Sequence, residues 1–368
     1  MNVNLGREVS DRAIRARAPL RLGLAGGGTD LSPFCDEYGG AVLNCTIDRY
    51  AHCYLEPRGD GKLEFHACDL DRIETHACGA PLDADCGLRL HRGIYNRFLR
   101  EGYLAPSQGL TITTTTDAPP GSGLGTSSAL VVAICEAVRE YVNAPLGLYE
   151  LAHLAVDIER KDLSLAGGRQ DQYAAVFGGA NFIEFLGGDR VVVNPLRIHR
   201  DILFEFESSL IVCFTGVSRE SDTIIRDQVS HMQTRNEPAL QALMDLKTAA
   251  HEMKQALLAG NIPAVGEILD RSWKSKKQTA ATVSNAHIEG LFKIGREFGA
   301  YAGKISGAGG GGFMMLLATP EKRTAIIRAL NEAGGVASPV HFTSRGVQTW
   351  SSQPWTSSIR ISQPHFMR

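Results

Sequence analysis

Pro120-Gly121-Ser122-Gly123-Leu124-Gly125-Thr126-Ser127-Ser128 is the stretch from which the rest of the chain can be read. Before it, Leu110–Thr116 alternates apolar residues with threonine, the period of a strand. After it, Leu130, Val131, Ile134, Ala137, Val138 and Tyr141 recur at helical spacing, which predicts a helix over Ser127–Tyr141. A strand therefore runs into glycines, and the glycines into a hydroxyl-rich helix start. Glycines let backbone N–H groups approach an anion closely. The helix start adds N–H groups without intrahelical partners and a partial positive charge. Ser127 and Ser128 add hydroxyls for a phosphate or a metal ion. No Gly-Lys-Ser/Thr closes the loop, so it is not a Walker A sequence, and it is not the GxGxxG of a dinucleotide fold. The competing reading is a turn with a serine helix cap.

Three other segments carry candidate chemistry. Gly307-Ala308-Gly309-Gly310-Gly311-Gly312 precedes the apolar strand Phe313–Ala318. Four consecutive glycines cost backbone entropy, which implies packing against a ligand or another backbone, or else a mobile loop. Arg17–Ala25 reads as a short strand that ends in Gly26-Gly27-Gly28-Thr29-Asp30. Asp30 could meet sugar hydroxyls, or cap a helix beginning at Leu31. Finally, Glu159 lies near the end of a helix predicted over Leu148–Lys161, and Asp171 follows the pair Gly167-Gly168. Taken alone, either carboxylate reads more readily as a solvated surface group.

Elsewhere, Ala41–Leu55 and Leu210–Phe214 read as strands, and Arg89–Glu101, Ala239–Ala259, Ile262–Thr279 and Ile288–Phe298 as helices. The stretch after Phe214 reads as long and polar. Residues 1–13 read as a mobile arm, and the Ser/Pro-rich residues 351–368 as a flexible tail. Composition shifts near 188–208, a boundary between halves. Net charge is −2, which excludes a global field for nucleic acid or anionic membrane. The eight cysteines form no CxxC pair, and neither an eighteen-residue apolar run nor a secretory h-region is present. A reduced, cytoplasmic setting is the expectation.

The three glycine-rich segments, in this order, resemble the three motifs of the GHMP kinases, which include galactokinase, homoserine kinase and mevalonate kinase. The resemblance covers roughly residues 14–350. It implies an α+β, two-domain GHMP kinase fold. A ribosomal-S5-like ATP-binding domain would span 14–200 and a ferredoxin-like C-terminal domain 205–350, with the active site in the cleft between them. Ala25–Asp30, Gly123–Ser128 and Gly168–Ala175 are more similar to the sugar-kinase branch, which holds the D-glycero-D-manno-heptose 7-phosphate kinases and the L-fucokinases. Length and the ending His341–Gln348 favour the heptose enzymes.

The resemblance implies ATP and Mg²⁺ as cofactors, a small sugar phosphate as partner and a 1,7-bisphosphate as product. A homodimer stays open. Pro120, Gly121, Ser122, Gly123, Leu124, Gly125, Thr126, Ser127 and Ser128 would cradle the nucleotide phosphates. Ser128, with Ser127 as the fallback, and Glu159 would hold the metal. Asp171 would face the anomeric hydroxyl. Arg21 stands where many relatives have lysine, so its catalytic part would have a different geometry. Gly27, Gly28, Thr29, Asp30, Arg169, Gly309 and Gly310 would line the substrate side. A substrate phosphate would need cations away from the ATP loop, with Arg169, Lys274, Lys276 and Lys277 as candidates; a solvated helix face is the plain alternative for the lysines.

Two further readings stay open: a sugar- or ATP-sensing module without catalysis, and a decarboxylase of the mevalonate type, which the Gly-Gly-Gly-Thr-Asp segment matches poorly. The pairs His66/Cys68 and His76/Cys78 could chelate zinc if each shares a strand face, against a background of buried cysteines and surface histidines.

Overall fold

The structure is a computed structural model that describes residues 12–217 and 221–352. In chain order the elements run β1 (Ala13–Ala25), α1 (Phe34–Tyr38), β2 (Gly40–Arg58), β3 (Lys62–Ala67), β4 (Arg72–Ala77), α2 (Arg89–Arg100), β5 (Gly109–Thr116), α3 (Thr126–Tyr141), α4 (Leu148–Asp157), α5 (Gln170–Phe177), β6 (Ala180–Leu186) and β7 (Arg190–Pro195). They continue with α6 (Arg200–Ser209), β8 (Leu210–Phe214), α7 (Ser221–Gln233), α8 (Glu237–Leu258), α9 (Ile262–Thr279), α10 (Ala286–Glu297), β9 (Ala300–Ile305), β10 (Phe313–Ala318), α11 (Arg323–Glu332), β11 (Val336–Ser338) and β12 (Gln348–Ser352).

Two sheets result. The larger has the order β12-β1-β2-β5-β3-β4, with β6 also on β2 and β7 on β6. The smaller has the order β11-β8-β10-β9 and is antiparallel throughout. β1 is buried along nearly its whole length, because α3, α5, α8 and α9 all pack on it or its neighbour. It is longer than the short strand expected. One apolar cluster joins the sheets: Ala16, Leu20 and Leu22 of β1 share it with Val212 of β8 and Met315 and Leu317 of β10.

Two irregularities position the site. The β1–β2 register shifts between Pro19 and Arg21. Proline cannot donate to the ladder, and a bulge re-aims the residue beside it. The Arg21 N–H leaves the ladder and bonds the Leu124 carbonyl of the glycine loop at 2.9 Å. Likewise, the helix expected over Leu148–Lys161 changes pitch: α4 ends at Asp157 and a π turn covers Ile158–Asp162, carrying Glu159. Such single π turns are frequent at functional sites.

Two expectations are corrected. No helix begins at Leu31; α1 begins at Phe34, after Pro33. The polar stretch after Phe214 contains the helix α7. Of the expected terminal arms, residues 1–11 and 353–368 lie outside the described residues, whereas Ala13 opens β1, and Ser351 and Ser352 belong to β12. Among the described residues no helix is long and apolar enough to cross a membrane.

Candidate active site

The strand–loop–helix unit forms as read. β5 leads into the loop, and α3 opens at Thr126 with Gly125 before it at φ 74°, a left-handed conformation that suits glycine. The second glycine run explains its composition by what it touches. A methyl group on Gly123 would lie 2.4 Å from the Ser306 carbonyl oxygen, and one on Gly312 would lie 2.3 Å from that of Ser122. Phe313 N donates to Ser122 O at 2.8 Å. The run from Gly307 is therefore packed backbone-to-backbone against the phosphate-loop candidate, and the mobile-loop reading does not hold.

A cavity of about 780 Å³ opens above this junction. It lies within the usual size range for small-molecule sites. Pro120, Gly121, Ser122, Gly123, Gly125, Thr126, Ser127 and Ser128 line it, whereas Leu124 turns into the core. Ser127 is exposed and Ser128 buried.

Arg21 ties the loop to Asp171. Its Nε and Nη2 reach Asp171 Oδ1 at 2.7 and 2.6 Å, and its Nη1 donates to the Gly123 carbonyl at 2.6 Å. Oδ1 takes both guanidinium contacts, and among the described residues Oδ2 accepts no hydrogen bond. The Asp171 side chain is 23% exposed and lines the cavity, so Oδ2 is available to a hydroxyl proton there.

Gln172, the next residue of α5, turns inward. Its Nε2 donates to Ser128 Oγ at 3.1 Å and also to Glu159 Oε2. One amide thus brings together a hydroxyl and a buried carboxylate that both line the cavity. Hard oxygen donors beside a phosphate loop are the set a magnesium ion uses, usually with few protein ligands. The residues present are compatible with that ion.

The Gly26–Asp30 turn behaves differently from its expectation. Asp30 is buried, and its oxygens accept from Gly28 N, Arg169 N, Gln170 N and Gln170 Nε2 at 2.9–3.3 Å. It caps α5, the helix of Asp171, from 140 residues away. Thr29 bonds Ala41 on both sides of its hydroxyl and is fully buried, outside the cavity. Gly27, Gly28 and Asp30 do line it. Arg169 points elsewhere, to Ser32, Asp36 and Asp189. Gly309 and Gly310 pack on Val283 rather than on the cavity.

Of the lysine group, Lys274 faces solvent near Asp270 and Lys277 pairs with Glu289 at 3.1 Å, while Lys276 is buried and lines the cavity. His66 and Cys68 approach to 3.9 Å, but Cys68 has already left the strand and His76 turns to Glu74. Among the described residues no cluster of three His, Cys, Asp or Glu side chains forms there.

Some lining residues were not legible. Asp222, Ile225, Arg226 and Gln228 of α7 form one wall, and Ser164–Gly168 another. The π turn was equally hidden. The helical spacing of Ile224, Ile225, Gln228 and Met232 is the one signal that could have revealed α7. Lys304, beneath the glycine turn, donates to the carbonyls of Gly23 and Leu24 at 2.9 and 3.2 Å. Burial pushes its ammonium down to about 7 and that of Lys276 to about 8.

Residues 89–179 match the family model described as the GHMP kinases N terminal domain, and 253–336 the one described as GHMP kinases C terminal. The chain is 43% identical over 92% of its length to a D-glycero-alpha-D-manno-heptose 7-phosphate kinase of Campylobacter jejuni, 99% of which is covered. A crystal structure of a D-glycero-D-manno-heptose 1-phosphate kinase from Bacteroides thetaiotaomicron superposes with a TM-score of 0.78 at 42% identity, covering 92% of this chain and 98% of that one. Lactococcus lactis galactokinase, at 19% identity and a TM-score of 0.72 over 91% and 95% of the two chains, shares the fold. With both halves matched and a relative this similar end to end, the chain belongs to the GHMP kinases.

Proposed function

We propose that this protein transfers the γ-phosphoryl group of ATP to the anomeric hydroxyl of D-glycero-D-manno-heptose 7-phosphate, giving the 1,7-bisphosphate and ADP. The observation that carries the reading is Asp171: one oxygen is clamped by Arg21 and the other is open to the cavity beside the phosphate loop. A relative at 43% identity named for heptose 7-phosphate and a solved structure at 42% identity named for heptose 1-phosphate support the reading. We place the ATP-binding domain at 14–200 and the C-terminal domain at 205–350.

Phosphoryl transfer asks for positioning and charge neutralisation more than covalent work. The N–H groups of Gly121–Ser128 hold the β- and γ-phosphates. Ser128 and Glu159 would hold a magnesium ion, which when bound neutralises phosphate charge. Asp171 Oδ2 accepts the proton of the anomeric hydroxyl as its oxygen bonds to the γ-phosphorus and the bond to the bridging oxygen of ADP breaks. Arg21 fixes Asp171 and keeps a positive charge beside the loop.

ADP release measured with a panel of acceptors tests the reading. The expected result is the highest kcat/KM with heptose 7-phosphate, above fucose, mannose and galactose. Faster turnover of fucose would move the protein to the fucokinase side of the family.

A further inference from the structure

Lys276 occupies a position that is costly for a lysine. It is only 4% exposed, yet it lines the cavity. Among the described residues its Nζ makes one hydrogen bond, to the Gly27 carbonyl at 2.9 Å, and no carboxylate lies in ion-pair contact with it. Asp30 acts on it through charge alone, since the oxygens of Asp30 already take four N–H donors. Arg21 and Lys304 add further positive charge nearby. A buried cation without a partner is strongly unfavourable. Among the described residues two of its N–H donors are unused, which suits this ammonium to bind an anion.

Its place in the cavity says which anion. Lys276 is bonded to the Gly26–Gly28 turn, and a methyl on Gly28 would meet its Nζ at 3.0 Å. The phosphate loop is tied instead to Ser306, Gly307 and Asp171. The buried Gln228 of α7 closes the wall on the lysine's side. The other candidate cations are already held by carboxylates: Arg169 by Asp36 and Asp189, Lys277 by Glu289, and the solvent-facing Lys274 by Asp270.

We infer that Lys276 is a specificity-determining residue whose ammonium binds the phosphate monoester that the acceptor sugar already carries. The inference rests on the proposed sugar-phosphate acceptor. A point charge on a flexible stem suits a phosphate, and burial strengthens each contact.

The test compares heptose 7-phosphate with unphosphorylated heptose in steady-state kinetics, using wild type, Lys276→Met and Lys276→Gln. The expected result is a KM for the phosphorylated sugar raised about tenfold or more in both variants. KM for unphosphorylated heptose and for ATP should stay within about twofold, the signature of lost binding at one group. An equal rise for both sugars overturns the role of Lys276 alone. A wild type that does not prefer the phosphorylated sugar overturns the acceptor reading, and the inference with it.

A wild-type measurement covers the case in which neither variant folds. With a non-hydrolysable ATP analogue filling the loop, calorimetry at pH 8 in two buffers reads proton uptake on sugar binding. Lys276 should take up about half a proton with heptose 7-phosphate and none with heptose. The charges facing it, Asp30, Arg21 and Lys304, are present with either sugar, so the difference belongs to the phosphate. No difference between the sugars overturns the inference.

Discussion

Asp171 shows how far single residues can be read. Its place after Gly167-Gly168 and its family resemblance marked it, and the structure adds the Arg21 clamp on Oδ1 and the open Oδ2. Asp171→Ala should lower kcat by about 10²–10⁴, the usual contribution of a positioned base. Nucleotide affinity should be unchanged, and single-turnover kinetics with a separate ATP titration reads both. A near-normal kcat would remove Asp171 from the mechanism. Asp30 and Lys276 were harder to read, because their roles are set by partners 140 and 249 residues away. An aspartate after glycines looks like a local cap in any sequence; only the fold reveals that it caps a distant helix.

Lys304 makes a prediction of a different kind. Burial holds its folded-state ammonium down at about 7, while the unfolded chain keeps the proton up to the ordinary lysine range. Between those limits the unfolded state binds more protons, so stability rises with pH, by at most about 1.4 kcal/mol per pH unit for this group. Below pH 7 both states are protonated and the slope vanishes. Lys304→Met removes the term. The stability of wild type minus that of the variant, from urea unfolding, should therefore climb between pH 7 and 8.5. A flat or falling difference would contradict the burial argument.

Elements repeat the lesson. β8 and β10 were legible to the residue as short uninterrupted apolar runs, and α9 from the helical spacing of its apolar residues. The π turn left no trace, since a single widened turn does not alter the apolar spacing around Glu159. α7 was hidden by its polar composition: one side of it faces the cavity rather than a core.

The glycine runs were legible as unusual, and their interlock explains them. Gly312→Ala should cost about 1–3 kcal/mol for the left-handed backbone at φ 81°. Because the methyl would also strike the Ser122 carbonyl, ATP affinity should fall with stability. Gly334→Ala is the control: φ is 88°, but nothing lies within 4 Å, so stability alone should drop. Thermal melts with and without nucleotide separate the two. Unaltered ATP binding in Gly312→Ala would mean that the second run does not shape the loop.

On the scale of the whole molecule, the two sheets are bound into one body around the site. Lys276 and Lys304, from α9 and β9, reach across to the carbonyls of Gly27, Gly23 and Leu24. Ser306 Oγ donates to Gly123 O at 3.0 Å from the same side. The mixed α and β character and the order of the motifs were readable along the chain. The wall made by α7, and Lys304 under the glycine turn, were not, because they arise only when distant segments meet.

The most direct measurement of the central claim is ³¹P NMR of the reaction of ATP with D-glycero-D-manno-heptose 7-phosphate. The account predicts that the γ-phosphate signal of ATP is lost, that ADP appears, and that a second sugar resonance coupled to the anomeric proton grows alongside the unchanged C7 phosphate. ADP accompanied only by inorganic phosphate, or a new phosphate coupled to any other sugar proton, would contradict it.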